Sequence, residues 1–499
     1  MLRHATSRRF LGSAPGRALW RGLLTAPGLP PGPRASLAAR LGAIATADLR
    51  AGRRPDGLAP AVTAELALAD AALRRGDTDA TADAVHRVGA LMFHRALHFD
   101  ALTSPAAEDP AGFFRPLHRS STGQALAAPH GRSTPAATPP ADRPTRVLFL
   151  TRGNQNFLGT IRARYEQHPD AEIRSLDVAG DDRARGDLPV LRHVLAGRSG
   201  YGDRIEQWLR PHLDWADTVF VDWCGVHAAV LSLIDPGSTR VIVRLHSFEA
   251  FTPWPHVVDW SRVDDLVFVS EPLRAFLLAA VPRLRAPGAP RTPVVTNAVD
   301  LTRYARPKAA AARRTLGLVG IGAVAKDPRW ALAVLRELRR QDERYRLLLI
   351  GEELTGKPSA AAGRYFRDYS RDLAELEPSG AVRRIGQTDD VPGVLTEVGV
   401  ILSSSVRESF HLGLIEGAAS HAVPVVRDWP FFAGRRASAR SIFPAEWIVD
   451  TPARAAARIR ELTGTEQAWR AAGGAAAAHA LACWDWSHVQ SDYDRLLLP

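Results

Sequence analysis

Two glutamates carry the sharpest chemical signal in the chain. Glu408 and Glu416 lie within Arg407-Glu408-Ser409-Phe410-His411-Leu412-Gly413-Leu414-Ile415-Glu416. The apolar run Val398 to Leu402 and three serines, Ser403 to Ser405, precede them, and Gly417-Ala418-Ala419 and Val423-Pro424-Val425-Val426 follow. That succession reads as strand, turn, helix, strand. Glu408 falls in the turn and Glu416 about two turns into the helix, since eight residues at about 1.5 Å each cover about 12 Å. Between the two acids lies a helix N-terminus, whose unpaired N–H groups and dipole favour a phosphate. Carboxylates on either side can accept hydrogen bonds from hydroxyls at both ends of a sugar–diphosphate–nucleoside. The stretch suits a nucleotide-sugar site.

Elements that would position such a site recur along the chain. From Arg146 onward, short apolar runs follow one another at Val147 to Leu150, Ile173 to Val178, Thr218 to Val221, Val241 to Leu245, Leu266 to Val269 and Val294-Val295. A second series comprises Leu316 to Ile321, Leu347 to Ile350, Val382, Val398 to Leu402 and Val423 to Val426. Runs without polar alternation predict strands buried on both faces, as in parallel sheets flanked by helices. Two series imply two doubly wound domains, and ligands of open parallel sheets bind outside the carboxyl ends of the strands. The α/β reading divides the chain into five parts: a helical extension with a basic tail (1–119), a linker rich in Ser, Thr, Pro, Ala and Gly (120–143), a first Rossmann-like domain (144–292), a second (293–475), and a terminal helix (476–499). Helical spacing of Leu37, Leu41 and Ile44, and of Leu66, Ala69 and Leu73, supports the extension.

Glu408 and Glu416 with seven residues between them, then Ala419 and Pro424-Val425-Val426, resemble the signature of retaining glycosyltransferases with the GT-B fold. The resemblance implies two Rossmann-like domains facing a cleft, the first on the acceptor side and the second on the side of a nucleotide-sugar donor, a last helix (476–499) that crosses back to the first, and transfer to a hydroxyl acceptor with retention and without a metal. It assigns Glu408 to the donor sugar and Glu416 to the ribose. It gives Lys326, in Gly320-Ile321-Gly322-Ala323-Val324-Ala325-Lys326-Asp327, to the diphosphate, and Gly386 to the turn beside the base. Gly153-Asn154, after the first strand, would face donor phosphates and acceptor, unless it is an ordinary turn. His246, closing the strand Val241 to Leu245, would contact the donor sugar, with a purely structural role as the alternative. Glu249 and Arg244 are weaker candidates nearby, and Asp222-Trp223 would shape the acceptor side. Asn297-Ala298-Val299-Asp300 resembles the family's Asn-Gly-Val-Asp hinge. Backbone N–H groups near His411 and Leu412, with Gly322, complete the donor site.

Departures from the pattern are informative. Ile321 stands where the family usually has an Arg, leaving Arg329 or Arg407 as substitutes, and His411 and His421 stand where it has small Gly residues. A side chain at His411 would crowd the sugar phosphate or add a donor to it. Lysine is scarce: of 64 basic residues only Lys308, Lys326 and Lys357 are Lys. A lysine kept at a motif position fits a task needing a compact ammonium.

Bulk properties exclude several classes. The chain of 499 residues is 46% hydrophobic and 23% charged, ordinary for a globular protein. No apolar run reaches the ~18 residues of a membrane span. Two cysteines, Cys224 and Cys483, argue against a disulfide framework or a zinc site and fit a reducing, cytoplasmic compartment. No cofactor is expected. Residues 1–60 hold ten Arg and two Asp, so 10 − 2 = +8 of the net +11 lies there. Such a terminus suits either the inner face of an anionic membrane or a solvated tail. Nucleic acid is not implied, since no aromatic-interleaved basic module accompanies the charge. His94 and His98 have metal-ligand spacing, but Arg95 replaces the Glu of the metalloprotease helix and no third ligand follows. The implied partners are a nucleotide-sugar donor and a glycan or lipid-linked glycan acceptor of the cell envelope. A nucleotide-sugar epimerase and a non-catalytic GT-B scaffold remain the alternatives.

Overall fold

The computed structural model describes residues 31–155, 157–184, 186–196 and 200–498. Much of the basic N-terminal tail lies outside these residues. Two all-parallel sheets form the body. The first contains β1 (Thr145–Thr151), β2 (Ala171–Asp177), β3 (Thr218–Asp222), β4 (Arg240–Leu245) and β5 (Asp265–Phe268), in the order β2-β1-β3-β4-β5. The second contains β6 (Thr315–Val319), β7 (Arg346–Ile350), β8 (Val382–Gly386), β9 (Val400–Ser403), β10 (Val423–Arg427) and β11 (Ile448–Val449), in the order β11-β10-β9-β6-β7-β8. Each predicted run before Val294 became a strand because helices cover both faces: β3, β4 and β5 are buried throughout. Edge strand β2 alternates and leaves much of one face to solvent.

Three local expectations changed. Val294 makes only an isolated bridge to Phe268, because Pro293 beside it has no N–H to give a ladder. The two-residue β11 was too short to show as an apolar run. The 120–143 stretch begins with a helix, Ser121–Leu126, and then lies against the first domain. His130 N–H donates to Asp259 (2.9 Å), Arg132 forks onto Asp264 (2.8 Å to each oxygen), and Ala137 N–H reaches Ser238 O (2.9 Å).

The extension is helical: Pro31–Arg50, Leu58–Arg74 and Thr78–Met92, followed by shorter turns. Its apolar residues belong to the same core as β3 and β4, with Val88, Leu91 and Phe114 buried beside Val190 and Phe276. It touches the second domain too, where Arg364 donates to Ala51 O (2.7 Å). His98 is occupied by Ser104 Oγ (2.8 Å) and Met92 O (2.7 Å).

The crossing back falls at Asp485. The Glu466–Trp484 helix packs on the second domain, and the Trp486–Leu497 helix inserts Trp486, Val489, Tyr493 and Leu497 beside Phe149, Phe220 and Ile242 of the first. The two connections are tied together: Trp486 N–H donates to Val299 O (2.9 Å) and Leu301 N–H to Asp485 (2.9 Å). Tyr493, fully buried, donates its hydroxyl to Thr296 O (2.9 Å) and accepts from Arg244 (3.2 Å). Tyr493→Phe keeps the packing but strips both bonds, and should lower stability by about 1–3 kcal/mol. A urea midpoint that falls at unchanged m checks this; an unmoved midpoint contradicts it.

Candidate functional site

Strand order decides which loops meet. In the second sheet the chain leaves β6 toward β7 on one side and returns to β9 on the other, so the β6–β9 boundary is the switch point where a crevice opens. The loops after β6 and β9 therefore emerge side by side, although Lys326 and Glu408 are far apart in sequence. They are zipped together by Val406 N–H to Ala325 O (2.8 Å) and Ser404 Oγ to Lys326 O (2.6 Å). Lys326 Nζ then donates to Glu408 Oε1 at 2.7 Å, and Ser405 Oγ donates to the same oxygen at 2.6 Å. Burial alone would push the Glu408 carboxyl up; the Lys326 ammonium, with His411 and the two hydrogen bonds, outweighs it and holds the group at about 2. Glu408 is a carboxylate at any physiological pH, while the Lys326 side chain keeps 28% of its surface exposed.

The Leu412–Ala419 helix starts immediately after this pair. His411 takes its N-terminal cap position in the left-handed region (φ 62°, ψ 65°). Glycine has no steric cost there, which explains why this position and His421 (φ 65°) are the two departures from the glycines of the resemblance: the backbone demand is kept and only the side chain differs. The imidazole bonds back to the end of β9 and lies 3.8 Å from Glu408 Oε1. It is buried, with Nδ1 2.7 Å from Ser403 Oγ, and burial lowers it to about 4, so the ring is neutral. Leu412 and Gly413 form the first turn. A Cβ on Gly413 would sit 2.7 Å from Val319 Cβ, so only glycine lets the helix start this close to the end of β6. Glu416, in the next turn, accepts from Tyr304 Oη at 2.5 Å, and burial raises its carboxyl above the usual range.

The first domain supplies the opposite wall. Its switch point lies between β1 and β3, and the residues after those strands, Asn154 and Trp223, line a cavity of about 550 Å³ with Arg152, His227 and Glu249. Gly153 (φ 82°) donates its N–H to Asp177 (2.9 Å) and turns the chain at this rim. His246 is buried at the end of β4, its ring against Trp223 and Phe157 (centroids 4.4 and 4.9 Å) and its Nε2 3.6 Å from Asp222. Asp222 is held well below the carboxylate range: burial opposes ionisation, but Arg244 at 2.7 Å overcomes it. Glu249 behaves oppositely. Its Oε1 accepts from Cys224 N–H (3.0 Å) and His246 N–H (3.3 Å), its Oε2 has no partner, and burial pushes it up to about 8. The two walls touch where Ser247 N–H donates to Ser409 Oγ (2.7 Å) and Arg407 donates to Ser247 Oγ (3.1 Å).

The structure thus joins Lys326, Glu408, His411 and Leu412 directly, with Glu416 one turn further, and brings the His246 loop against them. Gly322 lies in the same β6 loop, close to Glu352 O, and Gly386 ends β8, two strands from the switch point. Neither substitute for the missing Arg is available. Arg329 is bound to Asp372 (2.6 Å), and Arg407 lies buried over the rings of Phe99 and Phe251 (5.1 and 5.2 Å). Ile321 itself is in the core. Tyr304, which no spacing links to Glu416, has no signal in the sequence, and the burial of Glu249 comes from the fold.

No family model matches the sequence, and no curated protein does. Among solved structures, HepE of Anabaena, determined with UDP and glucose, is similar at a TM-score of 0.53 and 13% identity, covering 71% of this chain and 99% of its own. HepE determined with UDP-glucose gives 0.53 and 13% over 70% and 99%. A glycosyltransferase of Rickettsia africae gives 0.50 and 12% over 71% and 99%. With the two sheets described above, these likenesses establish the GT-B fold.

Glu249 has a measurable signature. Its native pKa lies above its unfolded value, so between about pH 5 and 8 the native state binds the extra proton and stability falls as pH rises, by on the order of 1 kcal/mol per pH unit. Glu249→Gln should remove that slope, read as the difference in melting temperature between variant and parent across the window. A difference that stays constant with pH contradicts the assignment.

Proposed function

We propose that the chain is a glycosyltransferase that moves a sugar from a nucleoside diphosphate sugar to an acceptor hydroxyl, with retention, and with Lys326 rather than a metal ion balancing the diphosphate. One observation carries the proposal: the Lys326–Glu408 pair at the switch point of the second sheet, beside a helix N-terminus, in a fold shared with a protein solved with UDP and with UDP-glucose.

Each group then has a task its environment suits. The bond between the anomeric carbon and the phosphate oxygen breaks, and its electron pair leaves with the diphosphate. The Lys326 ammonium and the N–H groups of Leu412 and Gly413 take up that charge. The acceptor oxygen bonds to the anomeric carbon from the face of the leaving group, and its proton passes to the departing phosphate oxygen. Glu408, permanently ionised, accepts from the sugar hydroxyls and is not used as a covalent nucleophile. Glu416, backed by Tyr304, accepts from the ribose. Trp223, His227 and Glu249 border the space for the acceptor.

Titration calorimetry with UDP tests the donor side. Lys326→Ala should weaken binding about tenfold to a hundredfold, as expected for a lost charge-assisted bond. Glu416→Ala should weaken UDP about tenfold, while Glu408→Gln should spare UDP binding and cut UDP-glucose turnover about a hundredfold or more. Unchanged UDP affinity in Lys326→Ala and Glu416→Ala would overturn the reading, and failure of the parent to bind any nucleoside diphosphate would favour a non-catalytic relative.

A further inference from the structure

A second cavity, of about 300 Å³, lies beside the acceptor space and shares Trp254 and Asp187 with it. Its walls come from both parts of the chain. The helical extension contributes Val88, Phe93 and Leu117, the short helix after it Leu126, and the first domain Leu191 and Val257. Charge is confined to its rim, where His86 Nδ1 stands 3.9 Å from Asp187 Oδ2 and both side chains are nearly half exposed. Deeper in the wall His256 is packed against Phe93 and Phe114 (centroids 5.3 and 4.5 Å), neither ring nitrogen has a partner, and burial keeps the ring neutral. The cavity is open to solvent at its rim, and its volume is roughly twice that of the ~150 Å³ apolar cavity that takes up benzene.

The neighbouring space has apolar walls as well, Trp223, Val226 and Phe248 among them, but adds Arg152, Asn154, His227 and Glu249. A chamber carrying these polar groups that adjoins an apolar one past Trp254 fits a ligand with a polar head and a hydrocarbon tail. We propose that the acceptor is an amphiphile, a hydroxylated head group bearing an alkyl chain, whose head lies by Trp223 and Glu249 and whose first ten or so carbons pass Trp254 into the cavity completed by the helical extension. The inference rests on the glycosyltransferase reading for the word acceptor. It gives the extension a task, that of supplying half of the tail pocket. Size sets the chain length accommodated, and the wall chemistry excludes a second charged group.

Calorimetry with n-alkyl β-glucosides from methyl to dodecyl, each below its micelle concentration, tests it. Affinity should rise about three- to fourfold per methylene and level off near ten carbons. Gly89 lies on the cavity wall in a helix, and a Cβ there would meet no heavy atom within 4 Å, so Gly89→Phe fills the space without moving backbone. Gly89→Phe should flatten the chain-length series while leaving UDP binding unchanged, and Leu191→Trp, filling from the opposite wall, should do the same. Affinity independent of chain length in the parent, or a dependence that survives in both filled variants, overturns the proposal. UDP binding, measured in the same samples, reports separately on the donor reading: its loss in the parent would sink that reading whatever the glucosides do.

Discussion

The contact between Lys326 and Glu408 is the interaction on which the rest of the site depends. Glu408 could not keep its charge in this position alone. Glu408 is buried, and an isolated carboxylate there would neutralise itself; the ammonium 2.7 Å away and the Ser405 hydroxyl keep it charged. Breaking such a pair by removing one partner leaves an uncompensated charge and costs several kcal/mol, whereas the intact pair adds little net stability. Its presence is therefore better explained by what it does than by what it holds together. The partly exposed ammonium faces the helix mouth, and the carboxylate is fixed in direction by two donors. The pair exists because strand order at the β6–β9 boundary brings two loops together and backbone hydrogen bonds between them set their spacing.

Strain is concentrated around the same crevice. Among the described residues, four that are not glycine have positive φ: Trp223, Asp327, His411 and His421. Three of them flank the crevice. Trp223 follows β3 at the first domain's cavity, Asp327 follows Lys326, and His411 precedes the helix. Each such residue costs of order 1–3 kcal/mol and persists only where its surroundings fix it. Here they do: Asp327 is tied by Tyr365 (2.7 Å) and Arg427 (2.6 Å), and His411 by Ser403 (2.7 Å). These contacts hold the backbone beside the crevice rigid. The extension adds to this rigidity, since Phe99 lies against Phe248 (4.7 Å) of the first domain and under Arg407 of the second.

Much of this was legible in the sequence. Apolar runs buried on both faces revealed the strands, and the Glu408–Glu416 spacing located the helix mouth, because both depend on local periodicity. What escaped depended on distant chain. Tyr304 meets Glu416 only through the hinge, and the high pKa of Glu249 comes from burial among β3 and β4 neighbours. The positive φ of His411, which suits the glycine of the resemblance, is a property of the backbone that residue type alone does not reveal. Lysine scarcity was less specific than it looked. Lys308 is as rare as Lys326, yet its ammonium bonds Leu395 O, Val398 O and Ser420 Oγ, a structural task. The tail cavity was invisible because its two walls lie on separate parts of the chain.

The central claim, that Lys326 and Glu408 act as one unit on a bound nucleotide sugar, is tested most directly by a double-mutant cycle. The affinity for UDP-glucose would be measured for the parent, Lys326→Ala, Glu408→Gln and the double variant. A coupled pair predicts losses that fail to add, with an interaction free energy above about 1 kcal/mol. Losses that add within about 0.5 kcal/mol would show two independent residues and contradict the account.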